Sequence, residues 1–441
     1  MSLINELKNI AKLSSQQTIL FKYTEKLDDA DYTHIIDSIN NENKFYLSSP
    51  QKPSYIGIGE CIKINPKNKE DILKAQKKIA QDYHIISNTN NHIKFFGGLS
   101  FNYISKRKHP WHKTPKNYFT IPKFLISFNT KKTTLTSFFI INSNINISEI
   151  NNEYSIFKKM LNQPKIDTLI SPEINEIKNT NDKKDYSQLF RNYKKKISNH
   201  EINKIILARM KTFSNKNYLY KKTIINKMDY RCTNFLFQFN QNNTLIGSTP
   251  ELLIDKKGID VLTEALAGSI SKSNNIDKNK LKEQLMTDKK ELAEHEFVIQ
   301  HIEKKLNYYI KNLTFSKTQI KTLEHIYHLH TPIKGTLKSN TNIIELLFNL
   351  HPTPAVLGLP EKECSKIIND NEPFDRGWYS GCIGWFDLKG DGRFDVAIRS
   401  GLISENRIYL FSGGGIVQES IENNEWNETE SKFQHLLSKL N

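Results

Sequence analysis

The chain has 441 residues, 37% hydrophobic and 10% aromatic, with 63 Lys and Arg against 47 Asp and Glu for a formal net charge of +16. That apolar content is enough for a large packed core and excludes a disordered chain. No run approaches the roughly 18–20 apolar residues of a membrane span. Cys61, Cys232, Cys364 and Cys382 form no CxxC pair, so reduced thiols in a cytoplasmic protein are expected rather than a disulfide framework or a zinc site. The positive charge admits nucleic acid as a partner. Its lysines are scattered among Asn and Ile, as in "NYKKKISNHEINK", with no zinc finger, helix-turn-helix signature or aromatic–glycine RNA motif beside them. An AT-rich coding sequence explains that mixture, and neither nucleic acid nor membrane is expected as a partner.

In chain order, "MSLINELKNIAKLSSQ" places Leu3, Ile4, Leu7, Ile10 and Leu13 at helical spacing and lacks the apolar segment and cleavage site of a signal peptide, so it predicts an amphipathic first helix. "NKFYLSSP", "SYIGIGE" and "HIKFFGGLSFNYI" read as strands, "FLISF" and "FFII" are strand-sized apolar runs, and "KEDILKAQKKIAQDY" reads as a helix. "NSNINISEINNEY" and "SPEINEIKNTNDKKDYSQ" are polar and read as surface connections, the second leading into a helix around "LFRNYKKKI". From Lys204 the pattern tightens. "KIILARMKTF", "FLFQFNQNNTLIGSTPELLIDKKGIDVLTEALAGS" and "FDVAIRSGLISENRIYLFSGGGI" read as strands and hairpins. Between them lies one long helical pattern, in which Leu292, Ile299, Ile302 and Leu306 mark an apolar stripe. Strands in runs with long helices between them predict an α+β fold. There is no internal repeat and no clean linker.

Carboxylates recur in special settings. Glu251 ends "GSTPE" before the strand "LLI", Glu294 and Glu296 lie in "AEHEFV", and Glu425 and Glu428 lie in "EWNETESK". On a helix Glu425, Glu428 and Lys432 share one face, which reads either as a solvated ion-pair face or as part of a site. Carboxylates from two separate helices suit a hard cation such as Mg2+, which takes oxygen ligands and is shared with an anionic substrate. His295, directly after Glu294, faces elsewhere. "DLKGDGRFD" fails as a calcium loop, because the position that needs a Glu is Ile398, and it reads as a hairpin turn. Gly413–Gly415, before the last helix, could offer backbone N–H groups to a carboxylate. Arg399, in the strand-like "VAIRS", could grip one bidentately.

Taken together, "KIILAR", "GSTPELL", "ALAGS", "EHEFV", "YHLHTPIKG", "LHPTPAVLGLP", "EPFDRGWYSGCIGWFD", "VAIRSGLI", "FSGGGIV" and "EWNETESK" closely resemble the chorismate-using enzymes, and within them the isochorismate synthases. "FYLSSP", "GIGE" and "FFGGLSF" resemble the N-terminal strands of the menaquinone-type members. The resemblance implies a single large domain with two facing, mostly antiparallel sheets flanked by helices, like anthranilate synthase component I. Residues 1–180 would form a divergent half and residues 181–441 the chorismate-binding region.

It also implies roles. Lys204 matches the base that activates water, and Glu251 the acid that protonates the departing hydroxyl. Glu294 and Glu428 match Mg2+ ligands, and Glu425 a nearby acidic position acting through water. Gly268, Ser269, His328, Arg399, Gly413 and Lys432 match substrate contacts, and Ala355 and Tyr379 are pocket positions that separate subfamilies. For such chemistry the lysine has to be partly neutral, helped by burial or by a cation such as Arg209, while Glu251 has to be protonated.

Lys204 argues against an ammonia-using anthranilate synthase. Ala267, where a nucleophilic lysine would stand, argues against an aminodeoxychorismate synthase. Ala355 and Ile398 favour isochorismate synthase over salicylate synthase, whereas Tyr379 is shared with the latter. The expected reaction is Mg2+-dependent conversion of chorismate to isochorismate by a cytoplasmic monomer without an amidotransferase subunit. Menaquinone synthesis is the first reading, with siderophore or salicylate synthesis the alternative.

Overall fold

The computed structural model describes residues 3–13, 17–39, 42–90, 92–102, 107–129, 132–163, 173–180, 182–215, 221–272 and 276–440. The first part of the chain runs α1 (Leu3–Leu13), β1 (Ile19–Leu27), α2 (Ile35–Ser38), β2 (Lys44–Ser48), β3 (Ser54–Ile58), β4 (Ile62–Ile64), α3 (Lys69–Asp82), β5 (His84–Ser87), β6 (Lys94–Leu99), β7 (Asn117–Ile121), β8 (Phe124–Asn129), β9 (Lys132–Ile141) and α4 (Ile147–Leu161). Next come β10 (Ile174–Ile177), α5 (Asp182–Ser198), β11 (Lys204–Asn215), α6 (Lys221–Asn226), β12 (Thr233–Asn240), β13 (Asn243–Thr249), β14 (Leu252–Lys257), β15 (Asp260–Ser271), α7 (Lys278–Thr287) and α8 (Lys289–Leu306). The last part holds β16 (Ile310–Phe315), β17 (Gln319–Thr322), β18 (Ile326–Leu337), α9 (Ile343–Leu350), β19 (Gly358–Leu359), α10 (Glu361–Asn371), β20 (Cys382–Asp387), β21 (Gly392–Val396), β22 (Ser400–Ser404), β23 (Arg407–Ile416) and α11 (Glu422–Leu440).

Among the described residues the strands make two sheets. One has the order β10-β11-β23-β22-β13-β12-β2-β3-β8-β9-β1-β5, with β19 paired to β11. The other has the order β16-β18-β15-β14-β21-β20-β6-β7-β4, with β17 paired to β18. Every pairing is antiparallel except β1 with β5. The sheets face each other across an aromatic core. Phe45 of β2 stacks on Phe96 of the other sheet at 4.6 Å between centroids, and on Phe237 of β12 at 5.2 Å. Such pairs add specific geometry to the burial that drives the layers together.

Two chain crossings between the sheets build the site. β13 belongs to the first sheet and β14 to the second, so the chain changes sheet at Pro250–Glu251. It returns between β21 and β22, at residues 397–399. The crossings are tied together, since the Val396 N–H donates to the Glu251 carbonyl at 3.0 Å. Arg399 therefore lies in a kink with φ +50° rather than inside a strand, and Ser248 N–H holds its carbonyl at 3.1 Å.

Other local expectations change as well. "NSNINISEINNEY" is mostly the first turns of α4, because the Asn146 side chain caps the N–H groups of Ser148 and Glu149. "SPEINEIKNTNDKKDYSQ" contains strand β10, which pairs with β11, and the start of α5. The buried face of α8 is rotated from the predicted stripe. Leu292 is 37% exposed, and Glu291, Glu294, His295, Val298, Ile302 and Leu306 face inward. Residues 103–104 of the predicted strand "HIKFFGGLSFNYI" lie outside the described residues.

Candidate active site

A cavity of about 60 Å³ lies between the sheets, beneath α8 and α11. Its wall contains Glu251, Gly268, Ser269, Glu294, His328, Ala355, Tyr379, Arg399, Gly413, Glu428 and Lys432. These are all of the site residues named from the sequence except Lys204 and Glu425, which stand behind it. Lys204 is fully buried, with Nζ 3.0 Å from Glu294 Oε1 but no hydrogen bond of good geometry. Glu425 is 1% exposed and faces Lys290, at 2.8 Å from Nζ to Oε1. Glu296 points outward and accepts from Gln300. Ile206, Leu266, Phe411, Ser412 and Gly415 complete the wall, together with Ala267 and Ile398.

The backbone explains why these side chains converge. The register of β15 against β18 slips between Leu266 and Ser269, and Gly268 sits in that bulge at φ +76°. A Cβ there would come within 2.7 Å of the Glu291 carbonyl, so only glycine admits the close approach of α8. Ser269 N–H donates to Glu291 Oε2 at 2.5 Å, and its hydroxyl donates to Glu428 Oε1 at 2.7 Å, joining the bulge to both helices. His295 bridges Ala267 O at 3.0 Å and Thr331 Oγ1 at 2.8 Å, which is where a histidine following Glu294 turns.

Gly413–Gly415, offered from the sequence as backbone N–H donors before the last helix, have their place in the preceding strand. They lie inside β23, paired with Ala208, Leu207 and Ile206. Their missing side chains make room: a Cβ on Gly413 would meet Tyr379 Oη at 2.8 Å, and one on Gly415 would meet Glu294 Oε1 at 2.4 Å. Gly415→Ala is therefore expected to leave the fold intact while forcing the Glu294 carboxylate aside. The check is a melting temperature within a few degrees of wild type together with at least a roughly tenfold higher Mg2+ requirement in turnover.

Glu251 is buried, and burial, aided by the Glu264 carboxylate, raises its pKa to about 8 against the pull of Lys321, Lys204 and Lys432. Burial also works to raise Glu264, but the His330 hydrogen bond and Lys321 outweigh it and hold that carboxyl down at about 2. The same Glu264 accepts from the Leu252 N–H at 2.8 Å, and Lys321 donates to the Pro250 carbonyl, so a charged network clamps the corner that carries Glu251. One carboxyl is thus neutral and its neighbour ionised, the separation that lets a site hold an acid near neutral pH.

The same cavity is lined by two cations, Arg399 and Lys432. Arg399 is buried and has no carboxylate partner among the described residues. Its Nη2 contacts His328 Nε2 at 3.0 Å, and its Nη1 has no hydrogen-bond partner. Burial lowers its pKa, and burial beside Arg399 drives His328 well below 6.5, so the imidazole is neutral and accepts from the guanidinium. Lys432 donates to the Gly413 carbonyl at 2.8 Å and lies 2.5 Å from Glu428 Oε1. The ion pair expected of a solvated face is present, but it is buried inside the site. Arg209, five residues beyond Lys204 on β11, points to the other face. It pairs with Asp182 at 2.7 Å and Glu430 at 2.8 Å and packs on Trp426, so it is not the cation beside Lys204.

Glu291, Glu294, Glu425 and Glu428 supply only hard oxygen donors. Burial and Glu294 raise Glu291 to about 7, and burial and Glu428 raise Glu425 to about 7. Against burial, Lys432 holds Glu428 down to about 2, and Lys204 lowers Glu294. Neither carboxylate oxygen of Glu425 has a hydrogen bond of good geometry, although both are buried. Crowded, partly unsatisfied carboxylates are what a divalent cation stabilises. Among the described residues no three Asp, Glu, His or Cys side chains are already disposed around one point as a metal cage. The donor set fits Mg2+ held by few protein ligands rather than a preformed cage.

The chain is similar to known proteins over most of its length. Isochorismate synthase MenF of Bacillus subtilis (strain 168) is 27% identical over 452 aligned positions, covering 96% of this chain and 93% of that protein. Isochorismate synthase MenF of Haemophilus influenzae is 35% identical over 248 positions, covering 55% of this chain and 57% of that protein. The solved structure of MenF, the menaquinone-specific isochorismate synthase from Escherichia coli, superposes with a TM-score of 0.79 over all of both chains at 24% identity, a likeness of fold. The family described as chorismate binding enzyme matches residues 5–441, and this chain belongs to that family.

Proposed function

We propose that this protein is an isochorismate synthase that converts chorismate to isochorismate for menaquinone biosynthesis. The observation that carries the reading is the pairing, in one cavity, of a buried Glu251 whose pKa is raised to about 8 with a buried Arg399 whose Nη1 has no hydrogen-bond partner among the described residues. A diacid with a leaving hydroxyl needs both. The near full-length match to the Bacillus subtilis isochorismate synthase extends the reading through the N-terminal half.

In the mechanism, Arg399 takes one substrate carboxylate through its open Nη1, and Lys432 turns from Glu428 to the other. Lys204, as the free amine, accepts a proton from water as the water oxygen bonds to C2. Both ring double bonds shift, C1=C2 to C1=C6 and C5=C6 to C4=C5, as the C4–O bond breaks; Glu251 gives its proton to the departing hydroxyl, which leaves as water, and the proton taken by Lys204 returns to Glu251 through solvent. The net change is an isomerisation. Glu294 and Glu428, with Glu425 acting through water, would hold Mg2+, which supplies fixed positive charge for a substrate carboxylate. Ala267 places a methyl group at the cavity wall and offers no amine for a covalent intermediate. With water as nucleophile no ammonia-delivering subunit is required, and a cytoplasmic monomer is the simplest assembly. No helix among the described residues is long and apolar enough to cross a membrane.

Chromatography of products from chorismate and Mg2+ tests the reading. Isochorismate alone is expected. Salicylate with pyruvate would move the assignment to a salicylate synthase, and no Mg2+-dependent turnover would overturn it.

A further inference from the structure

Lys290 has no part in that mechanism, yet its ammonium is under the influence of four carboxylates, those of Glu425, Glu294, Glu291 and Glu428. It is the second residue of α8, and its Nζ lies 2.8 Å from Glu291 Oε1 and 2.8 Å from Glu425 Oε1. It thus bridges α8 to α11 between side chains that are 10% and 1% exposed. A cation in the first turn of a helix opposes the helix dipole. Its position is therefore explained by the carboxylates and not by α8. The neighbouring lysines behave alike: Lys204 lies against Glu294 and Lys432 against Glu428. Those two have roles with water and substrate in the proposed mechanism, whereas among the described residues the ion-pair partners of Lys290 are Glu291 and Glu425.

Resting on the Mg2+ reading of these carboxylates, we infer that Lys290 is a resident counterion that stands in for the divalent cation and competes with it. With no metal bound, its ammonium neutralises Glu291 and Glu425 and keeps α8 and α11 together. When a dication enters, the ammonium is repelled and gives up Glu425, so the free enzyme's Mg2+ affinity is set by displacing a built-in charge. The cluster then stays folded without metal and does not hold metal so tightly that a substrate carboxylate cannot share it. Lys290 is on this account a positioning residue for the metal ligands.

The test is Mg2+ binding by titration calorimetry, without chorismate, to wild type and Lys290→Gln, with melting temperatures measured in chelator and in saturating Mg2+. Removing a unit charge a few ångströms from a dication is expected to tighten Mg2+ binding roughly tenfold or more. The melting temperature in chelator is expected to fall by about 3–5 °C and to recover in Mg2+. Should Lys290→Gln not fold in chelator, Lys290→Gln combined with Glu425→Gln restores the charge balance and is expected to fold there. Mg2+ affinity unchanged or weakened in Lys290→Gln, an equal loss of melting temperature with and without Mg2+, or a double variant as unstable as the single one would each overturn the counterion role alone. A wild-type protein that binds no Mg2+ would overturn the metal reading beneath it.

Discussion

Lys204→Ala is expected to lower kcat by about 10²–10⁴-fold at saturating Mg2+, with the dissociation constant for chorismate changed far less. The side chain is fully buried on β11 and reaches Glu294, one of the proposed metal ligands. Deleting it therefore does two things. It removes the proposed base, and it leaves a buried carboxylate without its partner, a loss of about 3–5 kcal/mol where nothing replaces the charge. Saturating Mg2+ separates the two, because a cation on Glu294 supplies the missing charge but takes no proton from water. A purely structural lysine would give a variant whose kcat returns once Mg2+ is raised. A base gives one whose stability returns while kcat stays low, and which a small added amine such as methylamine partly rescues. Retention of kcat within about tenfold of wild type would remove Lys204 as the base.

The residues proposed for the chemistry were named from the ordered motifs that resemble the chorismate-using enzymes, because a lysine opening an apolar strand, a glutamate after Thr-Pro and carboxylates at helical spacing are each weak signals alone. Their placement was less legible. Hydrophobic alternation marks β13, β14, β21 and β22 as strands but does not say which sheet each joins, so neither the crossing at Glu251 nor the kink at Arg399 could be read. Gly413–Gly415 close a segment read as strand, but glycine contributes no side chain to the pattern, so nothing in it said why three stand together. Their reason lies across the cavity in the volumes of Tyr379 and Glu294. Lys290 and Glu291 were missed inside "MTDKKELAEHEF", which resembles a solvated charge run. The available signal was Glu291 three residues before Glu294, on the same helical face as Val298 and Ile302. The buried face of α8 carries carboxylates, so a stripe drawn through apolar residues alone was rotated toward the exposed Leu292.

Glu251→Gln is expected to abolish turnover to within about 10²–10⁴-fold below wild type, since an amide of the same shape can hold a hydrogen bond to the leaving oxygen but has no acidic proton to give. The pH dependence makes the prediction specific. Burial, with Glu264 beside it, puts the folded-state pKa of Glu251 near 8, so the acid is loaded at neutral pH and wild-type activity should decline as pH rises through about 8. Residual activity in Glu251→Gln should lack that decline.

Stability gives an independent reading with a fixed sign. A carboxyl whose pKa is raised on folding binds more protons folded than unfolded between its ordinary 4.5 and about 8. Across that window Glu251 therefore takes stability from wild type as pH rises, by an amount on the order of 5 kcal/mol, and Glu251→Gln lacks that contribution. The variant should match wild type near pH 4 and exceed it progressively toward pH 8 in denaturant melts. Parallel stability curves for the two proteins from pH 4 to 8 would show that Glu251 is ionised in the folded state, and an ionised Glu251 cannot be the acid that expels the hydroxyl.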